Sequence, residues 1–205
     1  MKVLIATKNK AKISKYSAML EKIGIGYTTL EELEISNNIE ETGNTVEENS
    51  EIKAKEYYRL SNMPVIADDS GLIIDKLPID KQPGIFVRRY MGKELSDEEI
   101  INIYSKEIEE VGGESEGTFN IAITAINEFG QVFTKLTKHN RLFVSKPSKS
   151  RVEGYPMNSL IFNKNKNMYL ADEYNNNIKK VYNNNSFGEE YEFLKKIFKG
   201  ENNGK

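Results

Sequence analysis

The first segment of the chain restricts its fold more than any other feature of the sequence. Val3-Leu4-Ile5-Ala6 is an apolar run rich in branched residues, which is typical of a strand buried on both faces of a parallel or mixed sheet. From Lys10 to Ile23, apolar residues recur at three- and four-residue steps, which predicts a helix that ends at Gly24. A strand, a tight turn and a helix therefore form the first predicted unit of an α/β fold.

The composition excludes several classes of site and of protein. The 205 residues include no cysteine and one histidine, His139, which excludes disulfides, iron–sulfur clusters and the thiolate and multi-histidine zinc sites. A formal net charge of −2 argues against a protein that coats nucleic acid. The first apolar run is far shorter than a membrane span of about 20 residues. We expect a cytoplasmic protein without nucleic-acid or membrane partners, folded as one domain over residues 1–199 with a frayed tail at 200–205.

The rest of the pattern predicts further strands and helices. A helix begins after Asn44-Thr45, where acidic residues occupy the first turn, and extends to about Ser61. Other predicted elements are strands at Tyr27–Leu30, Val65–Ala67, Leu72–Ile74, Leu142–Val144 and Leu160–Phe162, a hairpin over Thr118–Thr137, helices at Ser96–Val111 and Glu189–Phe198, a surface loop at Glu31–Asn44, and asparagine-rich turns at 163–167, 175–177 and 183–185. The expected architecture is α/β, with a mixed sheet flanked by helices.

One polar segment lies directly after the first strand, where ligands bind in open α/β sheets. Thr7-Lys8-Asn9-Lys10-Ala11-Lys12 combines a helix start, two hydrogen-bonding side chains and three lysines, which suits a polyphosphate. It is not a P-loop, because the pattern G-x-x-x-x-G-K-[ST] is absent. Taken alone, the segment also fits a solvated, lysine-rich helix start.

A second polar segment follows the apolar run Val65–Ala67. Asp68-Asp69-Ser70-Gly71 places two carboxylates next to each other, and their repulsion is readily tolerated where Mg²⁺ binds through oxygen ligands. The alternative interpretation is an exposed turn, since Asp, Ser and Gly are common turn residues.

A third segment joins the predicted surface loop Glu31–Asn44, called the acidic loop below, to the predicted second helix. Glu40-Glu41-Thr42-Gly43 precedes Glu48-Asn49 and Lys53. Asn49 and Lys53 are four residues apart, so both side chains lie on one helix face and can point into a cleft. An ordinary, solvated Glu/Lys helix is the alternative. Together the three segments supply lysines for phosphate, carboxylates for a divalent ion and a carboxylate to orient water, as metal-assisted phosphoanhydride chemistry requires.

Four motifs, in order along the first 90 residues, resemble those of a known enzyme family. They are Ala6-Thr7-x-Asn9-x-x-Lys12; Glu40-Glu41-Thr42-Gly43-x-Thr45 with Glu48-Asn49 and Lys53-Ala54; Ala67-Asp68-Asp69-Ser70-Gly71-Leu72; and Pro83-Gly84 with Arg89-Tyr90. The chain is similar to the house-cleaning pyrophosphatases that act on inosine and xanthosine triphosphates. The resemblance implies an elongated two-lobed α/β fold with the nucleotide in the cleft between the lobes, a homodimer, and Mg²⁺-dependent hydrolysis of nucleoside triphosphates to monophosphates and pyrophosphate.

The same resemblance assigns roles to individual residues. Asp69 is the implied general base, and Lys53 the implied catalytic lysine that also contacts the triphosphate. Implied metal ligands are Glu41 and Asp69, and implied substrate contacts are Thr7, Asn9, Lys12 and Ser70. The residues themselves add further candidates: Asp68 as a metal ligand beside Asp69, and Asn49, Gly154, Tyr155 and Phe187 as substrate-binding residues.

The second half of the chain departs from the family pattern at the base-recognition segments. Arg151–Pro156 lacks an aspartate between Tyr155 and Pro156, and Ser186-Phe187-Gly188 stands where the family has Ser-His-Arg. Losing such hydrogen-bonding groups relaxes or redirects base specificity. Tyr155 and Phe187 fit either a stacking pocket or the hydrophobic core. The main hypothesis is therefore a pyrophosphatase with an altered base pocket, and the alternatives are a nucleotide-binding or sensing protein with weakened turnover and a scaffold without a ligand.

Overall fold

The computed structural model describes residues 1–90, 93–177 and 188–200 of the chain. The strands are β1 (Lys2–Ile5), β2 (Gly26–Thr29), β3 (Val65–Ile74), β4 (Arg89–Tyr90), β5 (Lys93–Glu94), β6 (Glu114–Ile126), β7 (Val132–Val144), β8 (Phe162–Asn163) and β9 (Met168–Tyr169). The helices are α1 (Lys10–Ile23), α2 (Val46–Ser61), α3 (Asp97–Glu110), α4 (Leu170–Asn177) and α5 (Glu189–Lys195), with 3₁₀ turns at Ile79–Lys81 and Pro156–Ser159 and a π turn at Lys196–Gly200. The predicted turn at 183–185 and most of the predicted tail lie outside the described residues.

A five-stranded sheet forms the centre of the fold, with the strand order β2-β1-β3-β6-β7. β1 runs parallel to both β2 and β3, and Leu4 is opposite Val65 in the β1–β3 register. β6 and β7 are consecutive neighbours joined by a tight turn in which the Asn127 amide donates to the Gln131 carbonyl. Parallel strands and a hairpin in one sheet confirm the predicted mixed α/β architecture.

Side chains of β1 and β3 alternate between two hydrophobic clusters, as the two-residue period of a strand requires. Val3, Ile5 and Ile66 pack in a cluster with residues of α1 and α5. Leu4, Ala6, Val65 and Ala67 pack in a second cluster with residues of α2. This part of the sheet is therefore covered by helices on both faces, which explains why Val3, Leu4 and Ile5 of β1 are all apolar.

The chain divides into two compact units. The first comprises Met1–Asp69, Ile121–Thr137 and Tyr182–Lys205, and the second comprises Ser70–Asn120 and Lys138–Val181. The second unit has its own core, in which Ile100, Tyr104 and Phe143 are fully buried. None of the helices in the described part of the chain combines the length and the apolar character needed to cross a membrane.

The helix boundaries confirm the sequence pattern because local capping groups mark them. Asn9 caps the start of α1 through its side chain, and Gly24 ends the helix with φ 81°. Thr45 accepts a hydrogen bond from the Glu48 amide at the start of α2. Ser96 and Glu99 form a reciprocal capping box at the start of α3. Each cap satisfies amides that the first helical turn leaves without an intrahelical partner.

Three local predictions were wrong, and strand pairing within the sheet accounts for the first two. Asp68–Gly71 is not a turn: β3 continues through it without a break. Leu142–Val144 is the end of β7 rather than a separate strand, while Leu160 and Ile161 precede the short β8. Asn175–Asn177 forms the last turn of α4, a helix that the sequence pattern did not indicate. Local propensity is a weak guide where tertiary pairing competes with it.

A chain of three hydroxyl groups, two buried and one partly exposed, joins α2 to the β6–β7 hairpin. The Ser50 hydroxyl donates to the Glu47 carbonyl and lies 2.8 Å from the Thr124 hydroxyl. Thr124 is in turn 2.9 Å from the Thr134 hydroxyl, which donates to the Glu51 carboxylate at 3.0 Å. These contacts fix the register of α2 against the sheet.

Gly117 lies where a main-chain oxygen and an aromatic ring of the second unit leave no room for a side chain. A Cβ atom at this position would lie 2.6 Å from the Ile73 carbonyl oxygen and 2.9 Å from Cε2 of Phe143. We expect Gly117→Ala to lower the free energy of unfolding by about 2–3 kcal/mol, since a backbone atom and a packed ring must both move. Urea unfolding measures the change. Gly26→Ala is the matched control, because its Cβ would meet no atom closer than 3.7 Å; an equal loss in both variants would contradict the steric explanation.

Candidate active site

Asp68 and Asp69 point to opposite faces of the sheet because they are neighbours on one strand. The Asp68 carboxylate pairs with the ammonium of Lys12 on α1 at 3.1 Å. The Asp69 carboxylate pairs with the ammonium of Lys53 on α2 at 3.2 Å. Both aspartates are buried. The repulsion expected between adjacent carboxylates is therefore relieved by one lysine on each face, each supplied by a different helix.

Lys53 lies at the centre of the site. Its ammonium donates to Glu41 Oε1 at 2.8 Å and to Asp69 Oδ1 at 3.2 Å, so it joins the acidic loop to β3. The Lys53 side chain is only 14% exposed. Burial by itself would lower the pKa of Lys53, but the negative charges of Asp69, Asp68 and Glu41 outweigh burial and raise it. Lys53 is therefore a fixed positive charge near neutral pH.

Burial and neighbouring charges have opposite effects on the pKa of Asp69. Burial raises the pKa of Asp69 above its usual value, and the charge of Glu41 adds to this effect, while Lys53 and Lys12 oppose it. A general base works best when its pKa approaches the working pH. The upward direction of the pKa shift therefore agrees with the role implied for Asp69, and the lysines keep the group ionisable.

Asn49 is fully buried between the acidic loop and β3. Its side-chain oxygen accepts a hydrogen bond from the Gly43 amide at 2.8 Å, and its side-chain NH₂ donates to Asp69 Oδ2 at 3.2 Å. Four expected site residues, Glu41, Asn49, Lys53 and Asp69, are thus brought into one hydrogen-bonded group.

The loop after β1 is preorganised by its own side chains. Asn9 Oδ1 accepts from the amides of Ala11 and Lys12 and so caps α1. The Thr7 hydroxyl accepts from the Asn9 amide at 3.2 Å. Thr7, Asn9 and Lys12 are all partly exposed. The expected phosphate-binding residues therefore form a compact turn whose last member, Lys12, is paired with Asp68.

Lys8 and Tyr57 hold the acidic loop in place, which the sequence analysis did not anticipate. The Lys8 ammonium donates to the Ser36 carbonyl at 2.9 Å and to Asn38 Oδ1 at 2.6 Å. The Tyr57 hydroxyl donates to the Asn37 carbonyl at 2.9 Å. No local pattern indicates these contacts, because the partners are far apart in the sequence. The ammonium of Lys8, one of the three lysines of the segment after β1, thus has partners within the protein.

The remaining expected residues lie in the second unit or outside the described residues. Ser70 is the next residue of β3 after Asp69 and is partly exposed. The Gly154 amide donates to Asp97 Oδ2 at 2.9 Å, and Asp97 also pairs with Arg88 at 2.9 Å. The Tyr155 ring meets Tyr174 edge-on with 6.4 Å between the ring centres. The expected contact through Phe187 lies outside the described residues.

Of the three carboxylates expected to bind a metal ion, two are placed so that they could bind the same hard divalent ion. Within residues 1–90, 93–177 and 188–200, no three acidic or histidine side chains are grouped as a ready metal site. Glu41 and Asp69 already share one cation, the Lys53 ammonium, so their carboxylates converge. Mg²⁺ typically takes one or two carboxylates and completes its shell with phosphate oxygens and water. Glu41 and Asp69 fit that pattern, whereas Asp68 faces the other side of the sheet and is occupied by Lys12.

The mixed sheet and the lysine–carboxylate cluster define an α/β protein with a largely buried ionic group on β3. A family model described as the Ham1 family matches residues 3–155. The chain belongs to the Ham1 family, which confirms the family expected from the four motifs.

Curated relatives are similar over part of their length. A dITP/XTP pyrophosphatase from Halalkalibacterium halodurans is 43% identical over 108 residues, which cover 53% of this chain and 55% of the relative. One of the same name from Oceanobacillus iheyensis is 37% identical over 131 residues, covering 63% of this chain and 66% of the relative. The chain thus matches between about half and two thirds of the length of these relatives.

Two solved structures share the fold over nearly all or most of their length. A HAM1 protein from Coxiella burnetii superposes with a TM-score of 0.73 at 23% identity, covering 96% of this chain and 98% of that one. The Ham1 protein of Staphylococcus aureus has a TM-score of 0.65 at 23% identity and covers 83% and 85%. At these identities the likeness establishes the fold.

Removal of the Lys53 charge should destabilise the protein in metal-free buffer. Lys53→Met leaves the carboxylates of Glu41 and Asp69 facing each other without a counter-charge, and we expect a loss of about 2 kcal/mol in the free energy of unfolding. Urea unfolding in EDTA measures it. Lys55→Met, on the same helix, is the control: its ion pair with Glu51 is exposed and should contribute little. Equal effects of the two substitutions would show that the central charge is not structurally important.

Proposed function

We propose that the protein hydrolyses non-standard purine nucleoside triphosphates to the monophosphate and pyrophosphate, with Mg²⁺ as cofactor. The observation that carries the proposal is the group formed by Glu41, Lys53 and Asp69, with Asp68 and Lys12 paired on the other face of β3. Such a group places a buried carboxylate beside fixed positive charges, as attack on a polyphosphate requires. The proposed substrate class is supported by the names of the relatives, which are dITP/XTP pyrophosphatases.

The proposed reaction is a direct displacement by water at the α-phosphorus. Asp69 accepts a proton from the water as the new P–O bond forms. The bond from the α-phosphorus to the oxygen that bridges it to the β-phosphorus breaks, and its electron pair leaves with pyrophosphate. Lys12 and Lys53 neutralise the charge that builds up on the phosphate oxygens. No covalent intermediate on the protein is needed.

The raised pKa of Asp69 supports this assignment. Burial is the largest cause of the shift, and a carboxylate in a poorly solvated position is a stronger proton acceptor than one in water. Thr7, Asn9 and Ser70 are proposed to bind the triphosphate. Their hydroxyl and amide groups are partly exposed, so a ligand can reach them.

Glu41 and Asp69 are the proposed ligands of Mg²⁺. Bound there, the ion would supply positive charge to the phosphate oxygens and to the leaving pyrophosphate. Asp68 was expected to share in metal binding. Because it faces α1 and pairs with Lys12, we propose instead that it holds Lys12 in position.

Base recognition is the part of the proposal in which this chain differs from the family pattern. We propose that Gly154 and Tyr155 contact the base, with Tyr155 as a stacking surface held edge-on by Tyr174. Asp97 fixes the Gly154 amide and would set the position of this segment. The proposal also includes homodimeric assembly, which rests on the family resemblance, and a cytoplasmic location, which rests on the cysteine-free composition and the short apolar runs of the sequence.

Pyrophosphate release from a panel of nucleotides tests the activity. In the presence of Mg²⁺, we expect release from ITP, XTP or dITP above that from common nucleotides. Asp69→Asn should lower kcat by about 10²-fold or more, because the proton acceptor is lost, while the melting temperature shows that the variant folds. Asp80→Asn, an exposed aspartate in the second unit, should leave kcat unchanged.

The result can also separate the enzyme from a nucleotide-binding protein. If nucleotides raise the melting temperature but no member of the panel releases pyrophosphate, the proposed hydrolysis is wrong and nucleotide binding remains. Unchanged turnover in Asp69→Asn would reject Asp69 as the general base while leaving the activity intact.

Removal of divalent ions tests the cofactor and its ligands. EDTA should stop pyrophosphate release, and added Mg²⁺ should restore it. Glu41→Gln should require at least about tenfold more Mg²⁺ for half-maximal activity, since one of two anionic ligands is lost. Glu47→Gln, on the first turn of α2, is the control. A Mg²⁺ requirement that is the same in the Glu41 variant and the wild type would exclude Glu41 as a ligand.

A further inference from the structure

We propose that Asn49 is a positioning residue for Asp69: its side-chain amide fixes the orientation of the Asp69 carboxylate and ties it to the loop that carries Glu41. The consequence for turnover rests on the proposed function. The orienting role itself rests on contacts within the protein and can be tested without activity.

The hydrogen bonds of Asn49 assign its amide orientation without ambiguity. The Gly43 amide can only donate, so it faces Asn49 Oδ1 at 2.8 Å. The ionised Asp69 carboxylate can only accept, so it faces Asn49 Nδ2 at 3.2 Å. A rotation of the amide by 180° would place donor against donor and acceptor against acceptor. The side chain is therefore locked in one orientation.

Asn49 and Lys53 hold the two oxygens of one carboxylate. Asn49 contacts Asp69 Oδ2, and the Lys53 ammonium contacts Asp69 Oδ1 at 3.2 Å. The two residues are four apart on α2, which places them on the same face one turn from each other. Two donors on a rigid helix therefore set the plane of the carboxylate, as a reacting group needs if its geometry is to be productive.

The contact with Gly43 links this carboxylate to the acidic loop. A Cβ atom on Gly43 would lie 2.7 Å from Asn49 Oδ1 and 2.6 Å from the Glu48 Cβ. Only glycine permits the loop to approach α2 so closely. Glu41 is two residues away in the same loop and shares Lys53 with Asp69. Asn49 thus helps Lys53 to fix the spacing between Glu41 and Asp69.

These contacts give Asn49 an indirect role in place of the substrate contact expected from its spacing to Lys53. Its side chain has no exposed surface, and its oxygen and its NH₂ group are both engaged within the protein. A substrate would contact Thr7, Asn9 or Lys12, which are partly exposed. Asn49 would act on the substrate only through Asp69.

Kinetics of Asn49→Asp and Asn49→Leu test the role in turnover. Asn49→Asp keeps an acceptor for the Gly43 amide and replaces the donor to Asp69, whereas Asn49→Leu removes both contacts at similar volume. We expect kcat to fall by about 30- to 100-fold in both, with KM for the nucleotide within about threefold of the wild type, because an ill-positioned base slows chemistry more than binding. Arg59→Gln, which removes only an exposed ion pair with Glu56 on the same helix, should leave kcat and KM unchanged.

Two kinetic outcomes would overturn the proposal. A large rise in KM with kcat unchanged would show that Asn49 contacts the substrate directly. Unchanged kcat and KM in both Asn49 variants, measured on folded protein, would show that its contacts are structural alone.

A stability cycle tests the orienting contact whether or not the protein is active. Asn49→Asp should lower the melting temperature in the wild type, because two carboxylates then face each other. In an Asp69→Asn background the same substitution should cost much less, since an amide at position 69 can donate to a carboxylate at position 49. Equal losses in the two backgrounds would overturn the proposal.

The two tests distinguish the two ways of failing. If the wild type releases no pyrophosphate from any nucleotide, the proposed function fails, and the stability cycle alone decides whether Asn49 orients Asp69. If the wild type is active and the cycle shows no coupling, the proposed function survives and the positioning role does not.

Discussion

The alternation of side chains along β3 is the constraint on which the candidate site depends. A strand sends successive residues to opposite faces, so Asp68 faces α1 and Asp69 faces α2. The same alternation places Ile66 in one hydrophobic cluster and Val65 and Ala67 in the other. The apolar part of the strand anchors the two helices, and its polar part then meets a lysine from each. Packing and chemistry thus follow from one periodicity.

Helix α2 supplies the side chains that contact Asp69. Its position along the sheet is set by the Thr45 cap, by apolar residues such as Ala54 and Tyr57, and by the hydroxyl contacts of Ser50. With the helix fixed, one face presents Asn49 and Lys53 to the same carboxylate. Burying these polar groups is affordable because each is paired, and buried charges without partners are strongly disfavoured. The site and the core of the first unit are therefore stabilised by the same helix.

Much of the fold could be predicted where the determinants are local. α1 was predicted from Lys10 to Ile23 and has those bounds, because Asn9 and Gly24 mark its ends within the sequence itself. The continuous course of β3 could not be predicted in this way. Asp, Ser and Gly favour turns locally, and the lysines that stabilise Asp68 and Asp69 come from α1 and α2.

The residue types of the site were evident in the sequence, but their pairing was not. The motifs identified Glu41, Asn49, Lys53 and Asp69, and spacing placed Asn49 and Lys53 on one helix face. The sequence does not show that Asn49 is buried or that it contacts the Gly43 amide. Nor does it show that Lys8 holds the acidic loop. Such contacts depend on how elements distant in sequence pack, which no local pattern encodes.

The hydroxyl groups that join α2 to the β6–β7 hairpin have fewer protons than the number of hydrogen-bonding contacts they make. Ser50, Thr124 and Thr134 supply three protons, while the chain makes four contacts and ends on two pure acceptors, the Glu47 carbonyl and the Glu51 carboxylate. The hydrogen bond from Lys55 lowers the pKa of Glu51, so this carboxylate brings no proton of its own. Since Ser50 donates to the Glu47 carbonyl and Thr134 donates to the Glu51 carboxylate, the Thr124 proton can serve only one of its two hydroxyl neighbours. Two proton arrangements therefore fit the same heavy-atom positions, and the register of α2 is the same in both.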